Sequence, residues 1–215
     1  LLYIIVASIF FGCASREDRI QEAIEKSDTL MLTNKASEAI AIIEKTLARY
    51  PDAVALQETL GTAHLVNGNN EAAIQAYRKT IELDLERSSL WKKIADQEAK
   101  LGQEDNAIRS YESYLAYNPN DFIAWKSVAE IQEKKGRYSQ AIKAAQEWQN
   151  LKPSARPAYQ LGRLFYLSGN FAVARMWYTE SARHQKEKTA QEALAALIEL
   201  ETNVQEYLEA ERLLP

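Results

Sequence analysis

Few residues in this chain have types and spacings that could do chemistry. Cys13 is the one cysteine in 215 residues, so an internal disulfide framework is excluded and its place needs another reason. The two histidines, His64 and His184, lie far apart, and no His/Cys/Asp spacing of a metal site joins them. Each isolated glycine has a turn to make, and none forms a phosphate-cradling loop. Carboxylates are plentiful, but at helical i, i+4 spacing beside Lys or Arg they read as solvated faces. Neither catalysis, nor a metal, nor a cofactor, nor a small-molecule substrate is expected. The remaining possibility is binding chemistry. Arg156, Tyr159, Arg163 and Tyr166 recur at spacings of three and four, which puts them on one helical face.

Cys13 closes a stretch, Leu1 to Gly12, with no charged residue; charge begins at Arg16, Glu17 and Asp18. A membrane-spanning helix needs about 20 apolar residues, more than this run has. A buried core helix would show a polar face. The hydrophobic region of a secretory signal is short and ends in small residues, and it fits best. Residues 1–12 are therefore expected to be a signal peptide, truncated at its N-terminus because no basic leader precedes Leu1. "FFGCAS" resembles a bacterial lipoprotein box, with Gly12 and Cys13 in place and Phe10 and Phe11 departing from the usual aliphatic and small residues. The resemblance implies cleavage before Cys13, a diacylglyceryl thioether and an acylated amine. Two or more acyl chains give stable anchoring where one is marginal. Residues 13–19 would then be the lipidated cysteine and a short tether. The address would be the bacterial cell envelope, with Ala14 after the cysteine favouring the outer membrane, facing the periplasm. The alternative is a free or buried cysteine after a plain signal or anchor.

The formal charge is −4, from 26 basic and 30 acidic residues, and no basic run or aromatic-interleaved patch occurs, so nucleic acid is not an expected partner. Seven Gly and five Pro in a chain rich in Ala, Leu, Glu, Lys and Gln point to helices throughout. Self-comparison then organises the chain. Ala39, Ala73, Ala107, Ala141 and Ala174 recur at intervals of 34, 34, 34 and 33. Gly68, Gly102, Gly136 and Gly169 follow at 34, 34 and 33. Trp91 and Trp125, Tyr77 and Tyr111, and Pro119 and Pro153 are each one period of 34 apart, with Tyr178 a further 67 beyond Tyr111 and Pro51 68 before Pro119. Glycine suits a short helix-to-helix turn at positive φ. Alanine early in a second helix lets two helices approach. Large aromatics fill the spaces between layers, and proline sets the corner into the next unit.

"SSLWKKIADQEAKLGQEDNAIRSYESYLAYNPND", residues 88–121, resembles a tetratricopeptide repeat, with Trp, Ala, Gly, Ala, Tyr and Pro all in place. Units on either side stand in register, two of them with the family's Leu-Gly pair at Leu60–Gly61 and Leu161–Gly162. The first unit has Asn34 at the glycine position, a residue that tolerates the left-handed region. The resemblance implies an all-α, right-handed superhelical solenoid of about five helix-turn-helix repeats over 20–187, divided as 20–53, 54–87, 88–121, 122–154 and 155–187. Residues 188–215 read as a degenerate repeat or capping helices. His64 takes a place where the family usually has an aromatic facing its paired helix, and His184 ends a helix, where a cation suits the dipole.

By resemblance the first helix of each pair lines a concave groove. The groove positions are Glu58, Thr59 and Thr62; Lys92, Lys93, Asp96 and Lys100; Lys126, Ser127, Glu130 and Lys134; and Arg156, Tyr159, Gln160, Arg163 and Tyr166. The family's clamp for a C-terminal carboxylate would use Lys92 and Lys126, but Asp96 and Glu130 stand where asparagine belongs and would repel a carboxylate. Arg and Tyr are enriched at binding hot spots, so the fifth repeat is the more promising patch; the alternative is that its tyrosines pack against the cap while its arginines sit in water. The mixed Lys/Glu face of the third and fourth repeats reads equally as ordinary solvation. The expected function is a non-enzymatic, membrane-anchored interaction scaffold that binds a peptide or helix of an envelope protein. The alternative is a regulatory or recruiting subunit of a partner enzyme such as a peptidoglycan hydrolase or protease.

Overall fold

Residues 15–184 and 186–213 are described by a computed structural model; the expected signal peptide and Cys13 lie outside them. Their helices, in chain order, are α1 (Arg16–Leu32), α2 (Ala36–Leu47), α3 (Val54–Val66), α4 (Asn70–Leu83), α5 (Leu90–Lys100), α6 (Glu104–Tyr117), α7 (Phe122–Lys134), α8 (Tyr138–Leu151), α9 (Ala155–Leu167), α10 (Phe171–Ala182) and α11 (Lys188–Leu213). No strand occurs among the described residues. The first ten helices form five pairs, each joined by a turn of three residues.

The turns share one hydrogen-bond scheme. Asn34, Gly68, Gly102, Gly136 and Gly169 have φ between 60° and 81°. In each turn the next N–H reaches back to a carbonyl five residues earlier, Lys35 to Leu30, Asn69 to His64, Gln103 to Glu98, Arg137 to Gln132 and Asn170 to Phe165, at 2.8 to 2.9 Å. The residue at positive φ donates in turn to the carbonyl three residues before it. This is a Schellman motif, which satisfies the last carbonyls of the first helix while reversing the chain. Asn34 fills the glycine role as expected.

Each second helix then places an alanine at its fourth position, and all five, Ala39, Ala73, Ala107, Ala141 and Ala174, are completely buried. Tyr77 is also fully buried, and Tyr111 and Tyr178 nearly so. Tyr77 and Tyr178 do more than fill spaces between layers: each lies within its own pair against a glycine of the first helix. A Cβ on Gly61 would stand 2.6 Å from the Tyr77 ring, and one on Gly162 2.5 Å from the Tyr178 ring. In these two pairs the glycine leaves room for the ring, whereas the third pair has Ala95 at that position with Tyr111. Trp91 and Trp125, expected in the same interior role, are only half-buried. Trp125 pins a corner instead, its Nε1 donating to the Pro119 carbonyl at 2.8 Å, while Asp121 caps α7 through the N–H groups of Ile123 and Ala124.

One boundary differs from expectation. Residues 16–19 belong to α1, not to a tether. The Ser15 hydroxyl accepts from the Asp18 N–H at 3.0 Å, and the Asp18 carboxylate accepts from the Ser15 N–H at 2.8 Å, a capping box that starts the helix early. At the other end, of the two expected forms, Lys188–Leu213 takes the capping one, as a single unbroken helix.

The chain divides into two compact units after Ser110, within α6. In the first, α1 to α3 share a core around Ala39, Ile43 and Leu56, and α4 and α5 one around Tyr77, Leu90 and Ile94. A charged group braces the second core: Glu98, 1% exposed, accepts from Arg78 at 2.7 Å and from the Ser110 hydroxyl at 2.6 Å, linking α5 to α4 and α6. In the second unit, α11 covers α9 and α10 through Ala193 and Leu200 packed on Ala174 and Tyr178. Arg175 on α10 forms a two-bond pair with Glu201 on α11 and holds its carboxyl below the usual range. Leu194 and Ile198 remain 51% and 61% exposed on the outer side of α11.

The contact at Gly61 sets an order of stability. Gly61→Ala is expected to cost about 1–3 kcal/mol through overpacking against Tyr77, more than Gly68→Ala, whose cost of about 1 kcal/mol is backbone strain at positive φ alone. Urea midpoints of the two variants beside the parent check this.

Candidate functional site

The expected groove residues fall on the first helices α3, α5, α7 and α9, and the two units hold separate sets. In the first unit, Glu58, Thr59 and Thr62 line a small recess of about 220 Å³ with Ile24 and Asp28 of α1. The Thr59 and Thr62 hydroxyls turn back to their own helix, donating to the Ala55 and Glu58 carbonyls. Glu58 draws in Arg87 at 3.0 Å and Lys93 at 3.9 Å, and Lys93 also stands 5.3 Å over the Tyr77 ring. Lys92 and Asp96 are likewise engaged and not free. This face neutralises itself with half-exposed pairs, each worth about 0–1 kcal/mol, in line with the solvation reading.

In the second unit the structure brings six of the expected residues together. Glu130, Lys134, Arg156, Tyr159, Gln160 and Arg163 line one recess of about 400 Å³ between α7 and α9. Its organising group is Glu133, which sequence reasoning missed. The Glu133 carboxylate, 11% exposed, accepts from the Gln160 amide through one oxygen and from Arg163 through the other. Burial works against the charge of Arg163, but the hydrogen bond and charge of Glu133 outweigh it and raise its pKa further. Gln160 is itself 5% exposed, so it positions Glu133 instead of facing a partner. Arg156 leans toward Glu192 of α11 at 3.9 Å and stays half-exposed. Lys126 lies 3.7 Å from Glu130 and 6.0 Å over the Trp148 ring.

Both tyrosines pack on the core beneath the cap, and one of them also lines the recess. Tyr159 lines the recess while its ring meets Tyr178 at 5.8 Å. Burial, and next Tyr159, push the Tyr178 phenol up to about 12, so it stays neutral. Tyr166 leaves the patch: it packs on Phe171 at 5.5 Å across the turn and joins the core beneath the cap. The packing alternative therefore holds for Tyr166 and in part for Tyr159, which also packs on that core while lining the recess with Arg156 and Arg163. A signal for Glu133 exists in the repeat register, where the equivalent residues are Met31, Leu65, Ala99 and Tyr166. A lone carboxylate at an otherwise apolar position needs a partner. Of the histidines, His64 keeps a buried Nδ1 without a partner among the described residues, and His184 lies 3.7 Å from Glu187. Among the described residues no group of three or more His, Cys, Asp and Glu could hold a metal ion.

The sequence profile of the tetratricopeptide repeat family matches residues 25–84 and 93–156. The chain belongs to that family. The solved structures to which this tetratricopeptide repeat chain is similar share its fold. A crystal structure of MamA superposes with a TM-score of 0.69 at 18% identity, over 80% of this chain and 94% of that one. MamA from Desulfovibrio magneticus gives 0.65 at 15%, over 82% and 99%. YrrB, described as a TPR protein with an unusual peptide-binding site, gives 0.65 at 19%, over 81% and 89%. No curated protein sequence matches the chain.

The Glu133 bridge has a measurable worth. Glu133→Ala leaves the buried Gln160 amide without its acceptor and is expected to cost about 1–3 kcal/mol; Glu133→Gln, which keeps an acceptor, costs less. Chemical denaturation of both variants checks the order.

Proposed function

We propose that this tetratricopeptide repeat protein is a non-enzymatic interaction scaffold. It binds an extended or helical segment of a bacterial envelope protein along its first helices, in assembly of an envelope complex. The observation that carries the reading is the α7–α9 recess, where two half-exposed guanidinium groups flank a tyrosine over a fixed carboxylate. Arg offers a forked donor set for backbone carbonyls and carboxylates, and Tyr offers contact area with little entropy to lose. Glu130 and Glu133 on the facing helix favour a segment of mixed charge over a plain polyanion. The peptide-binding site named for YrrB, a protein of the same fold, supports this use.

The address in this proposal is a membrane, reached through acyl chains on Cys13, on the outer membrane facing the periplasm. No helix among the described residues is long and apolar enough to cross a membrane. Cys13 stands two residues before the cap of α1, so the helical array would begin almost at the lipid.

Two measurements test the two halves. A photo-crosslinking side chain at Tyr159, in cells that process lipoproteins, is expected to give a discrete adduct that Arg156→Glu abolishes, with none from the same probe at exposed Met176. Equal labelling at both positions would refute the groove. Mass spectrometry of the mature protein is expected to find an acylated N-terminal Cys13, absent from Cys13→Ala; an unmodified thiol on an intact leader would remove the anchor.

A further inference from the structure

We propose that a recess between α1 and α2 is a binding surface for the phosphate-bearing headgroups of anionic lipids in the membrane beside the chain's N-terminus. The inference rests on the membrane address above and gives the first helix pair its own contact with that membrane.

The recess holds about 430 Å³, ample for a glycerophosphate headgroup, and belongs wholly to the first unit. Arg19, Lys26, Lys45 and Arg49 line it against one carboxylate, Glu22, with Tyr50 at its edge. Sorting produces this excess, because residues 15–52 as a whole hold more acidic than basic side chains. Arg19 and Lys26 are seven apart on α1 and Lys45 and Arg49 four apart across the end of α2, so each pair shares a helical face. Lys26, Lys45 and Arg49 are exposed, and none is ion-paired with a described carboxylate. Arg16, by contrast, is committed, bonded to Asp52 at 2.7 Å and lying 5.6 Å over the Tyr50 ring.

Several observations point to a lipid. The three exposed cations without an ion pair, Lys26, Lys45 and Arg49, outnumber the one carboxylate and favour an anion in the recess. The uncharged run Leu1–Gly12 and Cys13 end just before Ser15, so any membrane holding that segment lies beside the first turn of α1. Arg19 is four residues beyond the cap, about 6 Å along the helix, within the reach of an anionic surface, about 8–10 Å at ordinary salt. The antiparallel α2 brings Arg49 and Tyr50 back to this end, as the Arg16–Asp52 bond records. The overall charge of −4 makes this a local attraction that would orient the molecule.

The test uses the full chain carrying Cys13→Ser, so that no acyl chain contributes. Its binding to phosphatidylcholine vesicles is compared with binding to vesicles that also contain phosphatidylglycerol; the apolar leader contributes equally to both. A preference for the anionic vesicles is expected, falling at high salt and about 25-fold or more weaker in Lys26→Gln/Lys45→Gln/Arg49→Gln, at roughly fivefold for each basic residue near an anionic surface, with Lys26, farther along α1, contributing least. The control Lys79→Gln/Lys143→Gln/Arg183→Gln removes the same charge elsewhere and is expected to keep it. An undiminished preference in the recess variant, or an equal loss in the control, overturns the proposal. At constant ionic strength, displacement by inorganic phosphate would reassign the recess to a soluble anion, and displacement by poly-glutamate to an acidic protein, and either overturns it too. Failure of Cys13 acylation would leave this comparison unchanged, so the two failures are distinguishable.

Discussion

Two helices joined by three residues are forced side by side, and such a pair closes only if no side chain larger than a methyl stands where their backbones come nearest. Five completely buried alanines, each at the fourth position of a second helix, meet that condition. The rest follows from the resulting spacing. Where the first helix also gives up its side chain, at Gly61 and Gly162, the gap takes a tyrosine ring; in the fourth pair, where the equivalent residues are Ala129 and Ala145, both are completely buried without one. In the third pair the equivalent residues are Ala95 and Tyr111, both buried, so these two positions do not hold a constant volume and each pair closes with its own neighbours.

Polar groups at the ends of the first helices add links that cross from one repeat to the next. Glu98 and Glu133 occupy neighbouring positions in the repeat frame, four and three residues before the turn glycine. Glu98 reaches the second helix of the preceding pair through Arg78, whereas Glu133 reaches the first helix of the following pair through Arg163 and Gln160. The same kind of carboxylate therefore braces the interior in one unit and shapes a surface recess in the other.

The fold was largely legible in the sequence because each backbone requirement is met by one residue at one place: a positive φ by Gly or Asn, a close approach by Ala, a corner by Pro. The site was legible in part. Helical spacing correctly put Arg156, Tyr159 and Arg163 on one face, but it carries no information on which neighbour each side chain meets, and so Tyr166 was grouped with them while it packs against Phe171. Glu133 escaped notice because its partners lie 27 and 30 residues away, across a pair boundary. The early start of α1 depended on Ser15 and Asp18 three residues apart, a short signal hidden between the apolar leader and the first recognisable repeat.

The Glu98 network also has a bearing on how an array of near-copies finds its own order. Units that match in turn, alanine and length could pair one step out of register during folding, since most of their contacts would be reproduced. A slip that set Glu98 in the slot of Gln132 or His64 would bring it to Glu112 and Ala144, or to Glu44 and Ala76, in place of Arg78 and Ser110. A carboxylate buried without a counter-charge costs several kcal/mol. Glu98 thus serves as an address label within the chain, and the repeats around it cannot be shuffled, duplicated or deleted as interchangeable parts.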